Sequence, residues 1–97
     1  MEQRHVVLHS PGIKWISGVD PREQPGIKKH IQHYQKFHEM GKLFYGGPFL
    51  DKDSGGMMIA DTSVSREELE EFAGSDPAVK SGLLNFAIKT WYVAMKK

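Results

Sequence analysis

The chain has 97 residues, of which 39% are hydrophobic and 10% aromatic, and this suits a single domain spanning residues 1–97 around one core. The net charge is +1 and no basic run is longer than the pairs Lys28-Lys29 and Lys96-Lys97, so the charge pattern argues against a nucleic-acid-binding surface. The chain has no cysteine, no stretch long enough to span a membrane and no signal-peptide hydrophobic region, which together predict a cytoplasmic protein without disulfides or membrane contact.

A first strand is predicted over residues 4–10, where β-branched and apolar residues precede Pro11-Gly12. Residues 11–24 are rich in glycine, proline and aspartate and predict a loop. This loop carries Trp15 and Ile16, which are too apolar to lie in water without a cause. It is therefore either anchored on the core or a lid over a pocket, and the sequence favours neither.

The long first helix is predicted over residues 25–40, with Pro25 in the first position and Gly41 as the C-terminal cap residue. At 100° per residue, one arc collects the apolar residues and two histidines: Ile27, His30, Ile31, Tyr34, Phe37 and His38. A histidine on an apolar face is more often a hydrogen-bonded core residue than a catalyst, so both roles stay open for His30.

Residues 42–50 and 57–61 predict two strands of a hairpin. Within the first, Gly46-Gly47-Pro48 is expected to interrupt regular pairing and to open the backbone beside the helix histidine. The connecting turn contains Asp51 and Asp53, which we interpret as solvated turn residues because further oxygen ligands for a cation are missing.

Ser65 and Glu68 have the spacing of a capping box, so a second helix is predicted from there to Gly74. Asp76-Pro77 predicts a short N-capped helical turn. Residues 83–95 predict the longest strand, and both of its faces are apolar. One face carries Leu84, Phe86, Ile88 and Tyr92, and the other carries Leu83, Ala87, Trp91 and Val93.

The element order β-α-β-β-α-β predicts an α+β, ferredoxin-like fold with one antiparallel sheet and two helices on one face. The helices cover only one face of the sheet, so the second apolar face needs another subunit. The sequence therefore predicts a homodimer packed sheet to sheet, and it leaves assembly beyond a dimer open.

Few chemical motifs are available. Ser and Thr lie in no nucleophile-elbow context, and no glycine-rich loop leads from a strand into a helix. His5 and His9 share a strand face but lack a third ligand, so no metal site is predicted. A general base remains if His30 has a carboxylate partner, for which Asp76 is the most constrained candidate. From spacing alone, capping the turn at Pro77 is the favoured role of Asp76.

Several short motifs follow one another along most of the chain: His-Ser-Pro-Gly-x-Lys-Trp, the helix histidine, Glu-x-Gly-Lys-Leu, Gly-Gly-Pro-Phe, Ser-Gly-Gly-Met and Asp-Pro-Ala-Val-Lys-Ser-Gly. In this order and spacing they resemble the YCII-related (YciI-like) family. The resemblance implies a dimeric α+β barrel and a cofactor-independent active site centred on a His and Asp pair, here His30 and Asp76. Some members have arginine three residues before the histidine, where this chain has Ile27.

One branch of that family resembles enzymes that eliminate chloride from chlorinated hydroxyquinones. We therefore predict proton transfer on a small molecule, with His30 as base or acid and Asp76 orienting it. The predicted cleft is lined by Trp15, Tyr45, Gly47, Pro48 and Phe49. The alternative is a non-catalytic ligand-binding or regulatory module on the same fold, which needs the cleft but no solvent-reachable His30 beside a carboxylate.

Overall fold

The computed structural model describes residues 2–97 as four strands, three helices and a 3-10 turn at Pro21–Glu23. The strands are β1 (Glu2–Pro11), β2 (Leu43–Pro48), β3 (Gly56–Ala60) and β4 (Leu84–Val93). The helices are α1 (Ile27–Glu39), α2 (Arg66–Gly74) and the single turn α3 (Pro77–Lys80).

The strands form one antiparallel sheet in the order β2-β3-β1-β4. This order, with α1 and α2 packed on the same face, is that of the ferredoxin-like fold, so the predicted α+β class is confirmed. β1 is a central strand and pairs with β4 along its whole length, from Glu2 opposite Val93 to Pro11 opposite Leu84. Its register determines which side chains reach the helices.

The helix-facing side of the sheet carries the core. Val7 lies opposite both Met58 and Ile88, so these side chains share a face. They pack with residues of α1 and α2 in one buried cluster: Val7, Tyr34, Phe37, Met58, Ala60, Val64, Leu69 and Ala73, with Ile88 partly buried against it. Each large side chain removed from water here stabilises the fold by about 1.5–3 kcal/mol.

The opposite face of the sheet is not covered by any helix of the described chain. Register places Val6, Leu8, Met57, Ile59 and Trp91 on it, and Trp91 is 44% exposed. A sheet face with this much apolar surface is typical of an interaction surface.

The helix starts differ from the prediction. α1 begins at Ile27 and not at Pro25, because Gly26 precedes it in the left-handed conformation with φ 90°. Within the 11–24 loop, Asp20-Pro21 starts the 3-10 turn, where the Asp20 side chain accepts a hydrogen bond from the Arg22 backbone N–H. The predicted loop therefore contains a capped turn.

The predicted buried arc of α1 is only partly correct. His30, Tyr34 and Phe37 are buried, whereas Ile31 is 45% exposed and His38 is also exposed. The contacting strands cover a narrower stripe of the helix than the apolar pattern suggests.

The predicted irregularity of β2 lies elsewhere in the strand. Gly46, Gly47 and Pro48 pair regularly with β3, and the register shift falls between Leu43 and Tyr45. Leu83 lies just before β4 and packs in a small cluster with Ala78, so it is not a strand-face residue.

The predicted capping box of α2 is half formed. The Ser65 hydroxyl accepts from the Glu68 backbone N–H, but the Glu68 carboxylate pairs with Lys42 and does not return to Ser65. No helix among residues 2–97 is long and apolar enough to cross a bilayer.

Candidate active site

The fold joins His30 on α1 to Asp76 in front of α3, 46 residues later in the chain. His30 Nδ1 lies 2.6 Å from Asp76 Oδ2, and the Asp76 side chain has no exposed surface. The other carboxylate oxygen, Oδ1, accepts the Ala78 N–H at 2.9 Å. Asp76 therefore caps α3 and contacts His30 at the same time, so the two roles that the sequence set against each other use different oxygens.

Asp76 is charged in this setting. Burial acts to raise its pKa, but the hydrogen bond and charge of His30, together with the Ala78 N–H, hold the pKa below its ordinary value. A carboxylate only accepts hydrogen bonds, so Nδ1 of His30 must be the donor. In neutral His30 the lone pair then lies on Nε2.

Nε2 of His30 remains available to a ligand. No side chain or backbone group among residues 2–97 bonds it, and it is not among the fully buried polar atoms that lack a partner. The His30 side chain is 10% exposed, and it lines a cavity of about 490 Å³ between α1, β2 and the 11–24 loop. This volume is within the range of small-molecule sites.

Four of the five residues predicted for the cleft line this cavity: Trp15, Tyr45, Gly47 and Pro48. Phe49 does not line it, because β2 ends at Pro48 and Phe49 begins the following turn, with its N–H donated to Gly55. Further apolar wall comes from Ile27, Ile31, Leu43, Phe44, Met58 and Leu84. The walls are thus mostly apolar and aromatic.

The 11–24 loop is anchored and also forms cavity wall. The Trp15 ring N–H donates to Asp53 at 2.8 Å, and Asp53 also accepts from Ser17 and the Gly18 backbone. Gln24 is buried and bonds the backbone of Ile16 through both of its amide atoms. Asp53 lies in the turn as predicted, and it also holds the 11–24 loop, a role that the sequence analysis did not assign to it.

His9 on β1 is a site residue that the sequence analysis missed. It is 2% exposed and lies beside His30, with ring centroids 5.0 Å apart. Its Nδ1 is 3.1 Å from the Asn85 carbonyl and its Nε2 is 2.9 Å from the Tyr34 hydroxyl. The available signal was its alternation with Val7, which predicts a side chain on the helix-facing side of the sheet.

Burial is the main cause of the low pKa of His9. It lowers the pKa of His9 to about 4, and the neighbouring His30 acts in the same direction, against the Asn85 carbonyl and Asp76. His9 is therefore neutral at pH 7.

The same residues are the candidate metal ligands. Ligand atoms of His9, His30 and Asp76 lie within 4.8 Å of one another, whereas His5, the other histidine considered from sequence, bonds Thr90 near the far end of β1. In this trio every nitrogen and oxygen except Nε2 of His30 already has a protein hydrogen-bond partner. The arrangement is thus that of a hydrogen-bonded site, and a cation would have to displace these bonds.

The family model of the YCII-related domain matches residues 5–92. The chain belongs to the YCII-related family. No curated protein matches this YCII-related chain in sequence. Among solved structures it is similar to 5-chloro-2-hydroxyhydroquinone dehydrochlorinase (TftG) from Burkholderia phenoliruptrix AC1100, in complex with 2,5-dihydroxybenzoquinone. The two share 19% sequence identity over 91% of this chain and 93% of that chain, with a TM-score of 0.59. At this identity the likeness shows the YCII-related fold alone.

Proposed function

We propose that this protein catalyses proton transfer on a small organic molecule, with His30 as general base or acid and Asp76 orienting it. The observation that carries the proposal is the 2.6 Å contact from Nδ1 of His30 to Asp76, which leaves Nε2 free at the cavity. A general base must lie within hydrogen-bond reach of the proton it removes, and a second group must fix its tautomer. Asp76 supplies the second group, and Nε2 at the cavity is available to a proton of a bound molecule.

In the proposed reaction, Nε2 accepts a proton from a C–H or O–H group of the bound molecule. The imidazolium formed is stabilised by the buried Asp76 carboxylate through Nδ1–H. Nε2 then returns the proton to another atom, for an isomerisation, or to a departing group, for an elimination. Such a positioned base contributes about 10²–10⁴-fold in rate, and the apolar walls around it exclude competing water.

The comparisons support an enzymatic role at a coarse level. TftG is a dehydrochlorinase whose structure holds a single hydroxylated ring. A ring of that size fits a cavity of about 490 Å³, so hydroxylated quinones and hydroquinones are the first compounds to test.

The second candidate is a ligand-binding module. The mostly apolar cavity favours it, because binding requires only shape and apolar contact. Binding alone, however, does not require a carboxylate buried against a histidine whose second nitrogen faces the cavity.

We also propose a homodimer, packed through the uncovered sheet face that carries Leu8, Met57 and Trp91. Two such faces packed together bury the apolar surface that the helices leave open. The cytoplasm remains the proposed compartment, on the ground that the chain has no cysteine.

The experiment compares wild type with His30→Leu on a panel of small hydroxylated rings, carbonyl compounds and 5-chloro-2-hydroxyhydroquinone in D₂O. Mass spectrometry measures deuterium incorporation and product formation. We expect wild-type catalysis of at least one compound and none with His30→Leu, whose melting temperature should fall because the buried Asp76 carboxylate loses its histidine partner. His5→Gln, on the same sheet but outside the cavity, is the matched control and keeps the activity.

Wild-type turnover by a folded His30→Leu variant would contradict the proposal. Saturable binding of a panel compound without any exchange or product would favour the binding module.

A further inference from the structure

Three rings form one polar cluster in the cavity wall: His9, His30 and Tyr34. Their centroids are 5.0, 5.2 and 5.6 Å apart, so the rings pack as a nearly equilateral triangle with edge contacts. The proton-transfer proposal uses only His30. The other two rings come from β1 and α1, and their polar atoms are bonded to each other.

The direction of the bond between His9 and Tyr34 follows from its surroundings. Nδ1 of His9 faces the Asn85 carbonyl, which can only accept, so Nδ1 carries the proton. In the neutral ring Nε2 is then an acceptor, and the Tyr34 hydroxyl must donate to it across 2.9 Å. Burial raises the pKa of Tyr34 well above its ordinary range, so the phenol keeps its proton.

The Tyr34 oxygen is left with lone pairs only, because its one proton is committed to His9. Neutral His30 presents a lone pair as well, since its proton lies on the Asp76 side. The two polar groups of this wall are thus both acceptors in the resting site. A ligand carbonyl would find no donor there, whereas a ligand with two O–H or N–H groups would satisfy both.

The charge of the cavity adds a second constraint. In the described part of the chain, Arg22 is the one lysine or arginine that lines the cavity, and it pairs with Asp20 through two nitrogens. Ile27, three residues before His30, supplies apolar wall. Among residues 2–97, no lysine or unpaired arginine therefore lines the cavity to meet an anionic group.

We propose that His9 is a positioning residue that holds the Tyr34 hydroxyl as an acceptor, so that the cavity selects an uncharged ring bearing two hydrogen-bond donors. This rests on the proposed function, because His30 serves as the first acceptor. In the reaction, one donor group of the ligand bonds the Tyr34 oxygen and fixes the ring. The second donor of the ligand, or the C–H group next to it, gives its proton to His30.

The test is equilibrium binding by calorimetry of the 1,2-, 1,3- and 1,4-dihydroxybenzenes and of their dimethyl ethers, which have similar shape but no donors. We expect wild type to bind at least one dihydroxybenzene tenfold or more tightly than its ether, since an unfilled buried acceptor is costly. Tyr34→Phe removes one acceptor, so this ratio should fall at least threefold.

The positioning role has its own readout. His9→Leu removes the acceptor for Tyr34, so the hydroxyl can turn and donate to a ligand oxygen, and the dimethyl ethers should gain affinity over wild type. His9→Gln retains an amide oxygen as acceptor and should restore the wild-type preference. A residue with only a packing role would not raise affinity for the ethers.

Equal affinity of wild type for diols and ethers, no binding of any diol, or an unchanged ratio in folded Tyr34→Phe would each overturn the proposal. Should His9→Leu fail to fold, the Tyr34→Phe ratio decides. Catalysed deuterium exchange that depends on His30, without any donor preference, refutes this inference and leaves the proposed function standing. A preference for ligands with donors, without any deuterium exchange, refutes the proposed function and leaves this inference standing.

Discussion

Buried His9 should make the protein sensitive to mild acid, and His9→Gln should remove that sensitivity. The folded ring has a pKa of about 4 against an ordinary 6.5, chiefly because it is buried and also because His30 and His33 lie near it, with Asp76 opposing them. In the unfolded chain the ring is in water and takes a proton near 6.5.

The sign follows from counting protons. Above pH 6.5 His9 is neutral in both states and contributes nothing to pH dependence. Between pH 6.5 and about 4 the unfolded chain binds the extra proton, so the free energy of unfolding falls as pH decreases. At 1.36 kcal/mol per pH unit, the full interval corresponds to a loss of about 3 kcal/mol. The pKa of Asp76 is lowered, so its own titration lies below this window.

Urea denaturation followed by circular dichroism at pH 7, 6, 5 and 4.5, at fixed protein concentration, measures this loss. The stability difference between wild type and His9→Gln should shift in favour of the variant by about 2 kcal/mol or more from pH 7 to pH 4.5. His5→Gln is the matched strand control and should follow wild type. Parallel pH profiles for wild type and His9→Gln would refute the charge state assigned to His9.

Three further predictions concern the loop, the cap and the sheet face. Asp53→Gly should loosen the 11–24 loop and red-shift the fluorescence emission of Trp15, measured in a Trp91→Phe background. Asp53 has φ 51°, which glycine tolerates, so the substitution removes only the hydrogen bonds from Trp15, Ser17 and Gly18. Unchanged emission would contradict the anchoring role of Asp53. Asp76→Asn should cost only a few tenths of a kcal/mol in cap stability, because asparagine caps as well as aspartate, yet it should abolish catalysis; urea denaturation and the exchange assay check both, and retained activity would return Asp76 to capping alone. Trp91→Glu should shift a micromolar dimer towards monomer in sedimentation, and a monomeric wild type would contradict the dimer.

Much of the fold was predictable because the local signals were strong. The apolar period of α1, the Ser65 cap and the Asp76-Pro77 turn each fixed an element, and their order fixed the ferredoxin-like topology. Element ends were less predictable. Gly26 competes with Pro25 for the start of α1 and takes the left-handed conformation, which a propensity argument does not anticipate.

The candidate site shows where local reasoning ends. His30 stood out because it interrupts an apolar arc. Its bond to Asp76 joins positions 46 residues apart, and the pairing was predicted only from the family resemblance. His9 and Asp53 were missed for the same reason, since their partners, Tyr34 and Trp15, lie 25 and 38 residues away. Strand alternation places His9 on the helix-facing side of the sheet, but no local pattern identifies the partner of His9 or of Asp53.

The position of the proton on the His30 ring tests its role as a base most directly. Long-range ¹H–¹⁵N correlation of the neutral His30 ring should show a protonated Nδ1 and an unprotonated Nε2 in wild type, because Asp76 can only accept. In Asp76→Asn the amide oxygen keeps the Ala78 N–H and the amide nitrogen donates to Nδ1, so the proton should move to Nε2. A wild-type ring with its proton on Nε2, or a proton position unchanged in Asp76→Asn, would contradict the assignment of His30 as the base.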